Sequence, residues 1–359
     1  MRQTKKAILT LEDGSTFEGH SFGAETSRSG EVVFNTAMTA YPESLTDPSY
    51  LGQILISTYP IIGNYGVPAR QAQDGVSQFL ESEKIHPAGI ICQDYSWDYS
   101  HWEAASSLEQ WLKEEGVIGV YGIDTRALTK VLREKGSMLG KIVVEGSNDI
   151  DFYDPNQENL VAQASCTEVM EYGKGNGKKV VLVDCGVKAN IIRCLLKRGA
   201  HVVRVPWDYD FNTIDYDGLF ISNGPGNPDL AEATVVNIKK ALLGNKPICG
   251  ICMGNQLLSK AAGAKVYKLK YGHRSQNQPV RELGTNKCYI TSQNHGFAVD
   301  TTTLDSNWEP YFENMNDGTN EGIRHKTKPF FSTQFHPEAC GGPTDTEFVF
   351  DLFMDSIKK

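Results

Sequence analysis

Pro247-Ile248-Cys249-Gly250-Ile251-Cys252-Met253-Gly254 runs directly into Asn255-Gln256-Leu257-Leu258-Ser259-Lys260-Ala261-Ala262. The apolar run over 247–251 reads as a strand and 255–262 as a helix, with Cys252 between two glycines at the junction. This is the G-x-nucleophile-x-G layout of a nucleophile elbow, with cysteine in the place of serine. An elbow strains its central residue, and a glycine two positions to either side lets backbone approach where a Cβ would clash. A helix start also stabilises negative charge on the sulfur. Cys249 and Cys252 together spell C-x-x-C, so a redox pair is one alternative. Cys249, within the strand, reads as a small buried hydrophobe, and a buried structural role is the bland alternative for Cys252.

Outward from this stretch, short apolar runs alternate with helix-like segments: strand 180–184, helix 188–198, strand 201–205, strand 218–222, helix 230–243 and strand 247–251. That order predicts a doubly wound α/β domain, a parallel sheet with helices on both faces. Ligands of such sheets lie beyond the carboxyl ends of the strands. A further apolar strand, 330–335, delivers His336 at its end, and Pro337 stops it. Glu338 stands where a carboxylate could orient the imidazole and stabilise its protonated form. Cys252, His336 and Glu338 therefore make a candidate catalytic triad. Taken alone, His336 and Glu338 would read as a capping histidine and a solvated glutamate.

A chain of 359 residues exceeds the size at which one core stops growing, so two domains are expected. Runs over 7–12 and 15–20 flank Asp13-Gly14 as a hairpin. The rest of the first half is rich in turn residues, with helices expected near 102–115 and 125–135, and reads as mixed α and β. Residues 148–179 lack periodicity and end in Gly173-Lys174-Gly175-Asn176-Gly177-Lys178-Lys179. That run fails the spacing of a phosphate-binding loop and reads as a flexible connector. The expected division is a first domain over 1–150, a linker over 151–178 and a second domain over 179–359.

A composition 40% hydrophobic and 22% charged is that of an ordinary globular protein. The net charge of -9 argues against a nucleic-acid partner or a polybasic membrane surface. The basic start Met1-Arg2-Gln3-Thr4-Lys5-Lys6 leads into an alternating pattern, with no apolar run approaching ~18 residues, so a cytoplasmic location is expected. Eight cysteines occur without the Cys and His spacing of a zinc motif, and no metal is expected.

Asn223-Gly224-Pro225-Gly226-Asn227-Pro228, then Gly250-Ile251-Cys252-Met253-Gly254-Asn255-Gln256, then His336-Pro337-Glu338 resemble, in order and spacing, the class I glutamine amidotransferase domain. Phe34-Asn35-Thr36-Ala37-Met38-Thr39-Ala40-Tyr41, Leu45-Thr46-Asp47-Pro48-Ser49-Tyr50, Tyr59-Pro60, Gly63-Asn64 and Gly122-Ile123-Asp124-Thr125-Arg126 resemble the N-terminal α+β domain of the carbamoyl-phosphate synthetase small chain. Gln293-Asn294-His295-Gly296-Phe297-Ala298-Val299 is similar to a glutamine-site segment of the same family.

The resemblance implies a glutaminase. Cys252 would attack the L-glutamine carboxamide, His336 would protonate the leaving ammonia and then activate water, and Glu338 would hold His336. Backbone N–H groups matching Met253 and Gly224 would form the oxyanion hole. Ser49, Gly226, Gln256, Asn294, Gly296 and Phe297 match glutamine-binding positions, with turn glycine or polar loop residue as their bland reading. It further implies a heterodimer with a large subunit that uses bicarbonate, ATP and Mg to make carbamoyl phosphate for arginine and pyrimidine synthesis. This chain shows no nucleotide-binding motif and no cofactor of its own is expected. Asn255 departs from the histidine of many relatives, and residues 270–278 only partly match the family's glycine- and histidine-rich loop. His273 and His295 are candidate supporting groups, with purely structural hydrogen bonding as the alternative. The rival functions are a stand-alone amidohydrolase or peptidase with the same triad and a degenerate binding or regulatory subunit.

Overall fold

The computed structural model describes residues 4–357; the start 1–3 and residues 358–359 lie outside the described residues. Contacts divide the chain into two units, one running through Ala72 and over Ser77–Gln157, the other of Gln73–Val76 and the chain from Glu158 on.

In the first unit, Lys6–Leu11 and Thr16–Gly23 pair antiparallel around the Asp13-Gly14 turn. They join five further strands in a closed seven-stranded barrel. Its interior is filled by Leu9, Leu11, Val32, Ile54, Ile91, Val120 and Ile142, and the helix Thr125–Lys135 adds Leu128 and Leu132. The helix expected over 102–115 is shorter, Leu108–Glu115, and a strand, Ala104–Ser106, precedes it. Ser107 sets the boundary: its hydroxyl accepts the Gln110 N–H at 3.1 Å, so the chain turns helical only there.

In the second unit, one ten-stranded sheet has a parallel centre of His201–Pro206, Lys179–Asp184, Gly218–Ile221, Ile248–Ile251 and Phe330–Thr333. Strand residues alternate between two cores. Val180, Leu182, Phe220 and Ile251 pack with helices Ala189–Lys197 and Phe348–Ile357. Val181, Val183, Leu219 and Ile248 pack on the other face with Glu232–Ala241 and Met253–Ala261. This is the doubly wound arrangement, with helices on both faces.

The sheet departs from a purely parallel one in two places. Beyond Phe330–Thr333 it continues as four antiparallel strands, including the long Lys265–Glu282 and Cys288–Asp300. The 270–278 segment, expected as a loop, is thus part of a strand. At the other edge, the stretch expected as a linker over 151–178 carries the helix Leu160–Ala164, with Leu160 and Val161 buried, and the strand Met170–Tyr172 paired to His201–Pro206. Those few apolar anchors order a segment too short for periodicity to register. Among the described residues, no helix is long and apolar enough to cross a membrane.

Candidate active site

Cys252 ends the strand Ile248–Ile251 and precedes the helix Met253–Ala261 with φ 54° and ψ -102°. Among the described residues, Ala40, Asp74 and Cys252 are the non-glycine residues at positive φ. Such backbone costs on the order of 1–3 kcal/mol and persists only where surrounding packing over-determines it. Here it does. A Cβ on Gly254 would lie 2.2 Å from the Ile221 carbonyl oxygen, and one on Gly250 would lie 2.5 Å from that of Gly254. Only glycine lets the helix press this closely onto the neighbouring strand. The Cys252 N–H donates to the Thr333 carbonyl at 2.8 Å, and its thiol donates to the Asn294 carbonyl at 3.6 Å.

Phe330–Thr333 runs parallel to Ile248–Ile251 with Thr333 opposite Ile251, so both segments leave the sheet at the same edge. His336 then anchors to the antiparallel extension, its N–H donating to the Ser292 carbonyl at 2.9 Å. Its Nδ1 lies 2.7 Å from Glu338 Oε1, and the Lys188 ammonium lies 3.0 Å from the same oxygen. The three side chains are 2%, 0% and 8% exposed. His336 Nε2 is buried with no hydrogen-bond partner, the state a proton-accepting nitrogen requires.

The electrostatics follow from that line of charge. Burial opposes the imidazolium, but the Glu338 carboxylate and then Cys252 outweigh it and raise the His336 pKa. Burial likewise opposes ionisation of Glu338, and the Lys188 ammonium and then His336 outweigh it and lower that pKa. Cys249 contrasts with this: it is 0% exposed, and burial pushes its thiol far up. It fits the small-hydrophobe reading and not a reactive pair.

Of the other sequence-predicted residues of the second unit, Asn294 touches the Cys252 thiol through its carbonyl. The Gln256 amide donates to the Phe297 carbonyl and to Gln334 Oε1, both at 3.2 Å. Met253 is buried at the first helical position, and Asn294, Gly296 and Phe297 follow one another along Cys288–Asp300. A Cβ on Gly224 would lie 2.0 Å from the Cys185 carbonyl oxygen, and Gly226 has φ 81°. That loop is therefore packed too closely for a side chain at Gly224, and Gly226 sits in the left-handed region that favours glycine. Ser49 belongs to the first unit, in the 3-10 turn Pro48–Tyr50, where its N–H donates to Asp47 Oδ1 at 2.9 Å.

Two features escape a sequence reading. Lys188 looks like a helix-start residue, yet it is buried against Glu338, and its N–H donates to Asn223 Oδ1 at 3.0 Å. Asn255 is wholly buried, donating to Gln334 Oε1 at 2.9 Å and accepting from the Ser332 hydroxyl at 2.8 Å. It thus links the elbow helix to the strand that carries His336.

Residues 9–142 match the family model described as carbamoyl-phosphate synthase small chain, CPSase domain, and residues 181–356 match glutamine amidotransferase class-I. The arginine-specific small chain of carbamoyl phosphate synthase from Saccharomyces cerevisiae is 50% identical over 99% of this chain and 89% of its own. This chain belongs to the carbamoyl-phosphate synthase small-chain family. Longer relatives carry the same region: carbamoyl-phosphate synthase [ammonia], mitochondrial, of Homo sapiens is 53% identical over 99% of this small-chain member and 24% of its own length. The multifunctional protein CAD of Squalus acanthias is 52% identical over 98% of this chain and 16% of its own. The chain spans about a quarter or less of the length of these longer relatives.

Proposed function

We propose that this chain hydrolyses L-glutamine through Cys252, His336 and Glu338 and passes the ammonia to a synthetase portion that makes carbamoyl phosphate from bicarbonate and ATP. The observation that carries the reading is a positive-φ cysteine at a strand-to-helix elbow whose neighbouring parallel strand ends in a buried His336–Glu338–Lys188 line. The thiolate of Cys252 attacks the carboxamide carbon, forming a C–S bond, and the N–H groups of Met253 and Gly224 receive the developing oxyanion. The C–N bond then breaks as the His336 imidazolium gives its Nε2 proton to the departing ammonia. Neutral His336 next takes a proton from water, whose oxygen attacks the thioester. Glutamate leaves and the thiolate is restored. Glu338, held by Lys188, keeps the imidazole oriented and supports its charged form. Within the second unit, Gly226, Gln256, Asn294, Gly296 and Phe297 supply the glutamine-binding contacts.

ATP and Mg belong to the synthetase portion, a separate large subunit in a heterodimer. The product would serve arginine and pyrimidine synthesis, and a cytoplasmic location is the reading we carry forward. A reducing compartment suits the free cysteines of the described residues. Ammonia released without an acceptor is wasted, so the chain alone should turn over slowly and accelerate when the synthetase portion docks; each ~1.4 kcal/mol of preference for the aligned state gives about tenfold. The test measures glutamine hydrolysis with and without the synthetase portion, and carbamoyl phosphate formation from glutamine, bicarbonate and ATP. A chain that runs at full rate alone and forms no complex at micromolar concentration would instead be a free-standing amidohydrolase.

A further inference from the structure

His273, His295 and Glu321 meet inside the antiparallel extension of the sheet, one each from Lys265–Glu282, Cys288–Asp300 and Asn320–His325. His273 and His295 are direct cross-strand partners, their rings nearly perpendicular at 4.9 Å between centroids. His273 Nδ1 lies 3.5 Å and His295 Nε2 3.9 Å from Glu321 Oε1, and the three ligating atoms fall within 4.8 Å of one another. The side chains are 10%, 1% and 0% exposed. None takes part in the proposed hydrolysis.

The hydrogen bonds around the cluster fix which atoms point inward. His273 Nε2 lies 2.9 Å from Asp317 Oδ2, a carboxylate that can only accept, so the proton sits on Nε2 and the Nδ1 lone pair faces Glu321. His295 Nδ1 lies 2.9 Å from the Phe297 carbonyl oxygen, so that nitrogen is the donor and the Nε2 lone pair faces inward. Gln293 Oε1 stands 3.2 Å from the same Nε2. Two imidazole lone pairs, a carboxylate oxygen and an amide oxygen thus converge. Glu321 Oε1 accepts from the Asn314 amide at 3.0 Å, whereas His273 Nδ1 and Glu321 Oε2 are buried without any hydrogen-bond partner. Each of those two unpaired atoms leaves about 1–3 kcal/mol of desolvation uncompensated, which a cation between them would offset.

A proton supplies only part of this. Burial opposes a proton on His273, but Glu321 and then Asp317 outweigh it and raise its pKa; with Nδ1 3.5 Å from Glu321 Oε1 that proton makes a long hydrogen bond, and Glu321 Oε2 still has no partner. Protonating His295 as well is opposed by burial, by His273 and by Arg274, whose guanidinium donates to the Tyr271 carbonyl at 2.8 Å.

We propose that His273 Nδ1, His295 Nε2 and a Glu321 carboxylate oxygen form a closed structural site for a divalent transition-metal ion of the zinc class. An N,N,O donor set suits that ion, with Gln293 Oε1 placed for the fourth position. Ligand bonds of about 2.0–2.2 Å in tetrahedral geometry put donor atoms about 3.4 Å apart, against 3.5 and 3.9 Å from the two histidines to Glu321 and no more than 4.8 Å within the set, so the donors draw together to complete the shell. Both histidines carry the outer hydrogen bond that metal-binding imidazoles use, His273 to a carboxylate and His295 to a backbone carbonyl. Asp317, with a side chain 42% exposed, marks the side on which the cluster approaches solvent. The bound ion would staple three strands beneath Asn294, Gly296 and Phe297. The inference rests on the cluster alone and is independent of the glutaminase reading.

The full chain, stripped with a chelator and dialysed against Zn2+ or Co2+, tests it. One ion per chain is expected. The Co2+ form should show visible d–d bands of a tetrahedral nitrogen and oxygen site without the intense near-ultraviolet bands of thiolate ligation, which separates this site from adventitious cysteine binding. Zn2+ should raise the melting temperature of the parent by several degrees, and His273→Ala and Glu321→Gln should abolish both binding and rise while His325→Ala keeps them. If either variant fails to fold, the metal content and Co2+ spectrum of the parent decide. A folded parent that binds no ion, or binding that survives His273→Ala and Glu321→Gln, overturns the proposal in favour of a protonated His273–Glu321 pair.

Discussion

Replacing Lys188 by methionine isolates the charge that holds Glu338. The ammonium lies 3.0 Å from Glu338 Oε1, with the two side chains 8% and 0% exposed. At an effective dielectric of about 20, that separation corresponds to about 5.5 kcal/mol of gross attraction. Breaking a buried pair by removing one partner costs about 3–5 kcal/mol, because the remaining charge is stranded. His336 stays 2.7 Å from the same oxygen, so Glu338 is left with one cation and the low end, about 3 kcal/mol, is expected. For a unit of this size that is a fall of about 6–12 °C in melting temperature. The pH dependence has a definite sign. Glu338 has its folded pKa lowered from 4.5, so the stabilisation is fully present above that value and is lost as pH falls through the lower folded value. The gap between parent and variant should thus be widest near pH 7 and shrink below about pH 4.5 as Glu338 takes up its proton. Scanning calorimetry at steps from pH 7 down towards the folded value of about 2 measures both. Adding Glu338→Gln to Lys188→Met removes the stranded charge and should recover part of the loss. A variant melting within about 2 °C of the parent at pH 7, or a gap indifferent to pH, would refute the account of Lys188 as the counter-ion of Glu338.

Cys252→Ser should abolish glutamine hydrolysis while carbamoyl phosphate is still made from added ammonia in the assembled enzyme; loss of both activities would point to a structural cysteine. A glutamine-like chloroketone should alkylate Cys252 and spare the buried Cys249, which mass spectrometry of the labelled peptides reads directly. His336→Asn should lower kcat about 100- to 10,000-fold with a far smaller change in KM, and Glu338→Gln should do the same to a lesser degree; a pure KM effect in His336→Asn would remove it from the triad. Gly254→Ala places a Cβ 2.2 Å from the Ile221 carbonyl oxygen, so it should lose stability and hydrolysis together. Gly263→Ala, at φ +91° with nothing within 4 Å, should cost only about 1 kcal/mol of backbone strain and leave kcat unchanged.

The parts legible in the sequence are those in which one residue's environment is set by its near neighbours. Val180 to Val183 are all apolar because the strand is covered on both faces, and their alternate assignment to two cores is what a doubly wound sheet requires. Gly250, Cys252 and Gly254 could be read as an elbow because the backbone strain and the close approach both lie within five residues. The Ser107 and Gln110 pair is a capping signal of the same local kind; weighing it would have started the helix at Leu108.

What escaped the reading has the opposite character. Lys265–Glu282 holds Gly272, His273, Arg274 and Ser275 buried in succession, and Cys288–Asp300 buries Gln293, Asn294 and His295. Polar residues in a row give no alternating pattern, so the rule that finds strands by hydrophobic periodicity passes over them. Several of them are tolerated inside because they find hydrogen-bond partners, as Asn294 does in the Cys252 thiol and His273 in Asp317. Lys188 is the extreme case, a residue type almost never buried unless paired, and its partner lies in a segment distant in the chain. The strands that periodicity misses are the ones whose buried surface is committed to polar groups. For Cys252, Gln256 and Asn294 the proposed ligand is glutamine; for His273, His295 and Glu321 it is a cation. The failure of the apolar pattern thus falls on the segments that carry Asn294, His273 and His295, whereas the elbow at Cys252 remained legible.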